Sequence, residues 1–381
     1  MTPPLVYLIA GEPSGDLIGA RLIDALRELT GGRVAFAGIG GEAMRAEGMD
    51  SLFPQKDLAV MGLVEVLPRI PKVLRRLKET LAHIEALQPA VIVTIDSWGF
   101  TGRVAQRLKA AGSKIPRVHY VAPMVWAWKE KRVHQVAERV DRLLCLLPIE
   151  PPYFEKAGLT ALHVGHPVIE GYAGDGTAFR ARHRIPEDAP LLAVLPGSRL
   201  SEISRLLPIF ADTVRQLAAT RPQLQVVVPT VETVAEAVER ETENWPVNAI
   251  VVRGKTERMD AFAASRAALA ASGTVALELG RAGTPMAVAY RASPITAMIV
   301  RRLLKVPYAC LLNLLLDAPV VPEFLQERCQ AKLLAPTVAR LLDDETVRLA
   351  QIASIRQAMD RLGLAGEVPS RRAARAVLEL I

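Results

Sequence analysis

The feature that most constrains the fold is a repeated alternation of short, continuous apolar runs with segments of helical pattern. The first series holds LVYLIA (5–10), RVAFAGIGG (33–41), AVIVTID (90–96), RVHYVAP (117–123), RLLCLLP (142–148) and ALHVGHP (161–167). The second holds LLAVLPGSR (191–199), LQVVVPT (224–230), NAIVVRG (248–254), AALAASGT (267–274) and PMAVAYR (285–291). Uninterrupted Val/Ile/Leu runs are typical of parallel strands covered by helices on both faces. We therefore predict an α/β protein with two doubly wound, Rossmann-like domains.

One polar stretch separates the two series. EGYAGDGTAFRARHRIPEDAP (170–190) is rich in Gly and Pro and poor in helix signals, which indicates a linker. The sequence thus predicts a first domain over 1–170, a second over 171–345 and C-terminal helices over 346–381. We expect the last helix to pack back onto the first domain.

Composition limits the classes of partner. Half of the 381 residues are hydrophobic, and a net charge of +7 favours acidic partners such as phosphates, nucleic acid or anionic lipid. Nucleic acid is disfavoured because no run of five or more basic residues occurs. Cys145, Cys310 and Cys329 lack metal-ligand spacing and are interpreted as buried thiols in a reducing compartment. The first residues are interpreted as a strand rather than a signal peptide, and no segment has the length of a spanning helix.

Two glycine-containing turns of the second series have the form of an anion site. In LPGSR, Gly197 and Ser198 lie between a strand and a helix, where free N–H groups and Arg199 can hold a diphosphate. In ASGTVALELG, Ser272, Gly273 and Thr274 have the same position, and Glu278 follows one turn later, placed to accept from ribose hydroxyls. The alternatives are an ordinary turn with a capping serine and a solvated helix carboxylate.

Carboxylates mark the strand ends of the first series. GEPSGD places Glu12, Ser14 and Asp16 after the first strand, and Asp96 ends VIVTID. Ser14 or Asp16 could simply cap the following helix, whereas Glu12 has no capping role. An unpaired buried carboxylate is costly, so Asp96 must be solvated or hydrogen-bonded. His119, inside its strand, is interpreted as a core residue.

Several motifs occur together in one order: GEPSGDLIGA, GIGGEAM, VMGLVEVLPRIPKVLRRL, HYVAPMVWAWKEKRV, VGHP, LPGSRLSEI, ASGTVALE and YACLLNLLL. From about residue 5 to about residue 335 the chain resembles the lipid-A-disaccharide synthases. These are glycosyltransferases of the GT-B architecture, in which two Rossmann-like domains face a central cleft. The resemblance implies that the second-series turns bind UDP, with Asn313 of LLNLLL nearby.

The resemblance also implies the reaction. It is an inverting transfer of 2,3-diacylglucosamine from UDP to 2,3-diacylglucosamine 1-phosphate (lipid X), which yields a β-1,6-linked lipid A disaccharide 1-phosphate and UDP. We expect Asp96 to be the base, with Glu12 as its rival, and no metal or other cofactor. Family members usually carry IDAPDF, whereas this chain has IDSWGF, so Trp98 and Gly99 replace the Pro and second Asp.

Aromatic and basic residues indicate a membrane-facing side of the first domain. Trp98, Trp126 and Trp128 follow strand ends, and either pack internally or line an apolar acceptor pocket at a bilayer surface. Lys129, Lys131 and Arg132 would then meet acceptor phosphate or anionic lipid. Upstream, the apolar stretch 58–67 precedes a helix with an apolar stripe and basic flank. With the family's acylated substrates, this predicts peripheral binding to the cytoplasmic face of the inner membrane.

Three alternatives remain open at this point. The chain could be another GT-B nucleotide-sugar enzyme, such as an epimerase or a different lipid-linked transferase. It could be a UDP-sugar binding protein without activity, a reading that the SWGF change favours. A homodimer formed through the apolar C-terminal half is also open. A dinucleotide oxidoreductase is disfavoured because no G-x-G-x-x-G follows the first strand.

Overall fold

The chain divides into two compact units. The computed structural model describes residues 3–58, 70–125, 132–293, 297–298 and 306–381. The first unit comprises Met1–Pro167 and Leu362–Ile381, and the second comprises Val168–Arg361. Each is described separately below.

The first unit is built on a parallel sheet of six strands, in the order β2-β1-β3-β4-β5-β6. The strands are β1 Leu5–Ala10, β2 Ala35–Ile39, β3 Val91–Ile95, β4 Arg117–Tyr120, β5 Arg142–Cys145 and β6 Thr160–His163. The helices between them are α1 Pro13–Thr30, α2 Glu42–Ala46, α3 Ile70–Leu87, α4 Trp98–Ala110, α5 Arg132–Arg139 and α6 Pro151–Glu155. Pro13 opens α1 and Gly31, in the left-handed conformation, ends it.

The second unit has the same architecture, with strand order β12-β11-β10-β7-β8-β9. Its strands are β7 Leu191–Leu195, β8 Gln225–Pro229, β9 Ala249–Val252, β10 Ala267–Ala271, β11 Met286–Tyr290 and β12 Glu323–Leu325. Its helices are α7 Gly176–His183, α8 Leu200–Ala218, α9 Ala235–Thr242, α10 Lys255–Ala264, α11 Val275–Ala282, α12 Leu311–Leu316, α13 Ala331–Asp343 and α14 Glu345–Arg361. All strand pairs in both sheets are parallel, so the predicted α/β class is confirmed.

The final helix, α15 (Pro369–Leu378), belongs to the first unit. Its buried residues Ala373 and Val377 share a core cluster with Val6 and Leu8 of β1. Arg142 donates to Glu379 at 2.7 Å and ties the sheet to the end of this helix. The last segment of the chain therefore completes one face of the first sheet.

The predicted linker contains a helix, which is stabilised by tertiary contacts. The segment 170–190 includes α7, whose first turn is capped by Asp175, which accepts from Ala178 N–H at 2.9 Å. Phe179 of α7 is fully buried, and Arg182 donates to the buried Asp260 of α10 at 2.7 Å. Burial and charge pairing against α10 thus override the weak local helix signal.

Candidate functional site

The second unit contains a cavity of about 470 Å³ at the carboxyl edge of its sheet. The ends of β7 and β10 and the starts of α8 and α11 form its walls. The structure brings these sequence-predicted residues together in its lining: Ser198, Arg199, Ser272, Gly273, Thr274 and Glu278. Sequence reasoning missed others that also line it: Glu202, Thr230 and Arg258.

The LPGSR turn differs from the sequence prediction in one respect. Gly197 has φ +120°, and Arg199 is the N-cap of α8 in an extended conformation. The Ser198 N–H was expected to be free, but it donates to Glu202 Oε2 at 3.1 Å. Arg199 Nη1 donates to the other oxygen of the same carboxylate at 3.0 Å. The signal that could have revealed Glu202 is its place at the third helical position, where an acidic residue reaches back to the helix start.

A second arginine–carboxylate pair also lines the cavity. Arg258 of α10 donates from Nη2 to Glu278 Oε1 at 2.8 Å, and both side chains are largely buried. Glu278 is therefore held in place with one oxygen engaged. Nothing in the sequence near Glu278 signals Arg258, because the two residues lie on different helices.

Asn313 does not line the cavity. The side chain is fully buried; its Nδ2 donates to Val321 O at 2.8 Å and Glu323 Oε1 at 2.7 Å, and its Oδ1 accepts from Val321 N–H. Glu323 also accepts from Ala309 and Cys310 N–H. The sequence indicated that a polar residue in this apolar run needs a partner, and the partner is this network.

The first unit places its candidate carboxylates at the ends of neighbouring strands. Glu12 follows β1 and Asp96 follows β3, and Ser97 lies between them. Ser97 Oγ donates to Glu12 Oε1 at 3.2 Å, and Ser97 N–H donates to Asp96 Oδ1 at 2.7 Å. Both carboxylates are partly exposed, so each can reach a substrate at this edge.

The backbone at this edge is strained. Asp96 and Ser97 have φ values of 52° and 45°, and Val121, which follows β4, has φ 77°. A left-handed conformation is unfavourable for residues with a side chain, most of all for a β-branched one. Thr101 Oγ1 donates to Asp96 O at 2.8 Å and helps to hold the turn. Such strain clusters at functional sites, where it fixes the direction of a side chain.

Asp16 and Ser14 have different surroundings. Asp16 is buried and accepts from the N–H groups of Gly41, Ala43 and Met44 at 2.7–3.1 Å. Its carboxylate thus caps α2, a neighbouring helix, rather than the helix on which it lies. Ser14 is exposed in the first turn of α1.

Trp98 packs within the first unit. Its ring meets His119 edge to face with 4.8 Å between centroids, and it covers Gly102, where an added Cβ would lie 2.8 Å from the indole. His119 is fully buried, and its Nδ1 lies 2.8 Å from Thr94 Oγ1. Burial lowers the pKa of His119 to about 3, so the ring is neutral.

Other predicted residues lie partly outside the described ranges. Trp126, Trp128, Lys129 and Lys131 are not among the described residues, nor are positions 59–67 of the apolar stretch. Arg132 opens α5 and is half-buried. Within the described ranges, no cluster of three His, Cys, Asp or Glu side chains has a metal-binding arrangement. A search of the same ranges for a helix long and apolar enough to cross a bilayer found none.

Comparison with known proteins decides the family. Residues 6–377 match the family model described as lipid-A-disaccharide synthetase. The chain belongs to the lipid-A-disaccharide synthase family. The lipid-A-disaccharide synthase of Paramagnetospirillum magneticum is 57% identical over 99% of this chain and 97% of its own length. That of Rhodospirillum centenum is 52% identical over 100% of this chain and 96% of its own. The protein is therefore a glycosyltransferase of lipid A synthesis, and the alternatives of an epimerase or an inactive binder are not favoured.

Solved structures support the GT-B fold. The chain is similar to the S. aureus MnaA–UDP co-structure with a TM-score of 0.67 at 13% identity, covering 99% of this chain and 98% of that one. It is also similar to Acinetobacter baumannii MurG, with a TM-score of 0.58 at 13% identity; the match covers 99% of this chain and 100% of that one. At such low identities the likeness concerns the fold alone, and the predicted GT-B architecture is confirmed.

Proposed function

We propose that the protein joins the 2,3-diacylglucosamine of a UDP donor to lipid X with inversion at the sugar C1. The lipid X hydroxyl oxygen forms a bond to C1 while the bond from C1 to the diphosphate oxygen breaks. The electron pair leaves with UDP, and the hydroxyl proton passes to a carboxylate. The observation that carries this proposal is the cavity of the second unit, because it gathers six of the seven predicted donor residues, all except Asn313, at one sheet edge.

The second unit is the proposed donor domain. Ser198 N–H and Arg199 would hold the diphosphate and stabilise the charge that develops as UDP leaves. Ser272, Gly273 and Thr274 would supply further main-chain and hydroxyl contacts at the start of α11. Glu278, held by Arg258, would accept from the ribose hydroxyls.

Asn313 would then act as a positioning residue. Together with Glu323 it fixes Ala309 and Cys310, and Ser272 Oγ lies 3.5 Å from Ala309 O. Its effect on the donor would pass through this segment rather than through direct contact.

The first unit is the proposed acceptor domain, with Asp96 as the general base. A base must reach the proton that it removes, and Asp96 is aimed by a strained turn and by the Ser97 N–H. Glu12 remains the rival, since the Ser97 hydroxyl couples it to the same turn. Ser14 and Arg132 would contact the acceptor, whereas Asp16 would contribute through the structure of α2.

Binding to the cytoplasmic face of the inner membrane is also proposed. Large apolar side chains are exposed near the carboxyl edge of the first sheet: Leu17, Ile70, Leu74 and Met124. The cations of α3 in the same region, Lys72, Arg75, Arg76 and Lys78, outnumber Asp57 and Glu79, with which three of them pair. The remaining positive charge favours an anionic, apolar surface. The membrane role of Trp126, Trp128 and Lys129, and a homodimer, remain predictions from the sequence.

Turnover of purified Asp96→Asn and Glu12→Gln variants tests the base. We expect Asp96→Asn to lower kcat by roughly 100- to 10,000-fold, while Glu12→Gln lowers it less. Binding of UDP and of lipid X is measured beside the rate, to show that the loss is chemical. A larger loss of kcat in Glu12→Gln than in Asp96→Asn would make Glu12 the base. Loss of lipid X binding in Asp96→Asn, with the residual rate unchanged, would show that Asp96 binds the acceptor and is not the base.

A further inference from the structure

Glu202 occupies the groups that the donor diphosphate needs. Its carboxylate accepts from the Ser198 N–H at 3.1 Å and from Arg199 Nη1 at 3.0 Å, and all three residues line the cavity. The inference drawn here rests on the proposed function, in which the same N–H and guanidinium hold the diphosphate.

The local fold is built to admit this carboxylate. Glu202 is the third residue of α8, and its side chain folds back over Gly197. A Cβ at position 197 would lie 2.6 Å from Glu202 Oε2 and 2.7 Å from Glu202 Cβ, so only glycine leaves room. The Glu202 side chain is 14% exposed, whereas that of Arg199 is 70% exposed. The carboxylate therefore sits inside the turn, and the arginine reaches outward.

A diphosphate would compete with Glu202 for these donors, because an N–H already engaged by the carboxylate is not free for a phosphate oxygen. A phosphate oxygen that accepts from Ser198 N–H and Arg199 would stand within a few ångströms of the Glu202 oxygens. The Glu202 side chain is only 14% exposed, so water screens the repulsion incompletely. The carboxylate must give up both contacts when the diphosphate takes them.

The other carboxylate of the cavity is different. Glu278 has its own counter-ion in Arg258, at 2.8 Å, and neither belongs to the group proposed for the diphosphate. Glu278 can stay paired when UDP binds, whereas Glu202 loses its cation to the ligand. This difference separates a ligand-contacting carboxylate from a competing one.

We propose that Glu202 is an internal competitor of the nucleotide diphosphate. It pairs with Arg199 and Ser198 N–H, yields them to the diphosphate on binding, and takes them back as UDP leaves. Glu202 thus weakens UDP binding and speeds release of this product, and the effect grows with the charge of the ligand.

Calorimetric titration of Glu202→Gln with UDP, UMP and uridine tests the proposal. The variant keeps an oxygen that can accept from Ser198 N–H but carries no charge. We expect UDP to bind about tenfold more tightly than to the wild type, equivalent to about 1.4 kcal/mol. We expect a smaller gain for UMP, no change for uridine, and stronger product inhibition by UDP during turnover.

The matched control is Glu278→Gln, which removes the other carboxylate of the cavity. We expect it to weaken UDP and uridine binding by similar factors, since its contact is with the ribose. If Glu202→Gln binds UDP as wild type does or more weakly, the competitor role is overturned and Glu202 only orients Arg199. Should that variant fail to fold, Glu202→Asp replaces it, because the shorter side chain loosens both contacts. Unchanged or weaker UDP binding in Glu202→Asp would likewise overturn the competitor role.

The underlying pocket assignment is checked separately with Arg199→Gln. If that variant binds UDP with unchanged affinity, the diphosphate does not use this turn and the proposed function fails. If it binds UDP more weakly while Glu202→Gln brings no gain, the pocket stands and only the competitor role is lost.

Discussion

The central strands of the two units end in contrasting ways. After β7 the chain turns through Gly197 at φ +120°, a residue without a side chain, and the backbone of Gly197 and Ser198 lines the cavity. After β3 it turns through Asp96 and Ser97, both left-handed despite their side chains. One edge offers backbone to a ligand, and the other holds side chains in fixed directions. The comparison indicates that binding of a diphosphate and proton transfer place different demands on the same strand-to-helix turn.

The same contrast extends to internal carboxylates. Asp16 is buried and accepts from main-chain N–H groups at the start of α2. Glu202 lines the cavity and accepts from the Ser198 N–H in the LPGSR turn. The first is a permanent part of the fold. The second is available for exchange with a ligand.

The largest effect on stability is expected for Gly197→Ala. A side chain at this φ costs about 1–3 kcal/mol, and the new Cβ collides with the Glu202 Cβ at 2.7 Å. We expect a total loss of about 2 kcal/mol or more in the free energy of unfolding, measured by denaturant titration, with weaker UDP binding. A variant as stable as wild type would mean that the glycine is not required at the second edge.

Asp16→Asn should lower stability without altering acceptor use. The carboxylate accepts from three N–H groups, and an amide can accept at one oxygen only. We expect a loss of about 1–3 kcal/mol, with the KM for lipid X unchanged. The matched control is Ser14→Ala at the exposed start of α1, for which we expect a change below about 0.5 kcal/mol. A raised KM for lipid X with unchanged stability would show that Asp16 contacts the acceptor.

Acid should destabilise the first unit through His119, which lies beneath the strained edge. Its pKa falls from 6.5 in the unfolded chain to about 3 in the fold because burial disfavours the charged ring. Between these values the unfolded state binds more protons, so the contribution of His119 to stability is constant above about pH 6.5 and falls as the pH is lowered toward 3. The slope from this residue is at most about 1.4 kcal/mol per pH unit.

His119→Leu checks that sign. Thr94 Oγ1 still donates to Val118 O in the variant, so no hydroxyl is left without a partner. We expect the variant to show a flatter decline of unfolding free energy between pH 6 and pH 4 than the wild type. Burial also lowers the pKa of His166, to about 4, but that contribution is common to both proteins. Parallel curves would show that His119 does not titrate as described.

The smallest effect is expected for Ser97→Gly. Glycine adopts φ near 45° without the steric cost of a left-handed residue, but it loses the hydroxyl that donates to Glu12 and adds entropy to the unfolded chain. We expect a net gain of about 0.5 kcal/mol in stability together with a lower kcat. A clear loss of stability would show that the turn is not strained, and an unchanged kcat would show that the Ser97 hydroxyl is dispensable.

Much of the architecture could be predicted from periodicity because strands buried on both faces carry continuous apolar runs. The strand β12 could not, since Glu323–Leu325 is short and begins with a carboxylate whose partners, Asn313 among them, are set by tertiary structure. The helix α7 was missed because its stability comes from packing on α10. For the cavity, turn chemistry pointed to Ser198, Arg199 and Ser272 through Thr274, whereas Arg258 reaches it from a separate helix that no local pattern connects to the site.

The most direct test of the division between the two edges is UDP affinity in Arg199→Gln and Asp96→Asn, measured by calorimetry on the same preparation as wild type. We expect at least about tenfold weaker binding in Arg199→Gln and unchanged binding in Asp96→Asn. Unchanged UDP affinity in Arg199→Gln together with lower UDP affinity in Asp96→Asn would place the nucleotide at the sheet edge of the first unit. That result would contradict the assignment of UDP to the second unit.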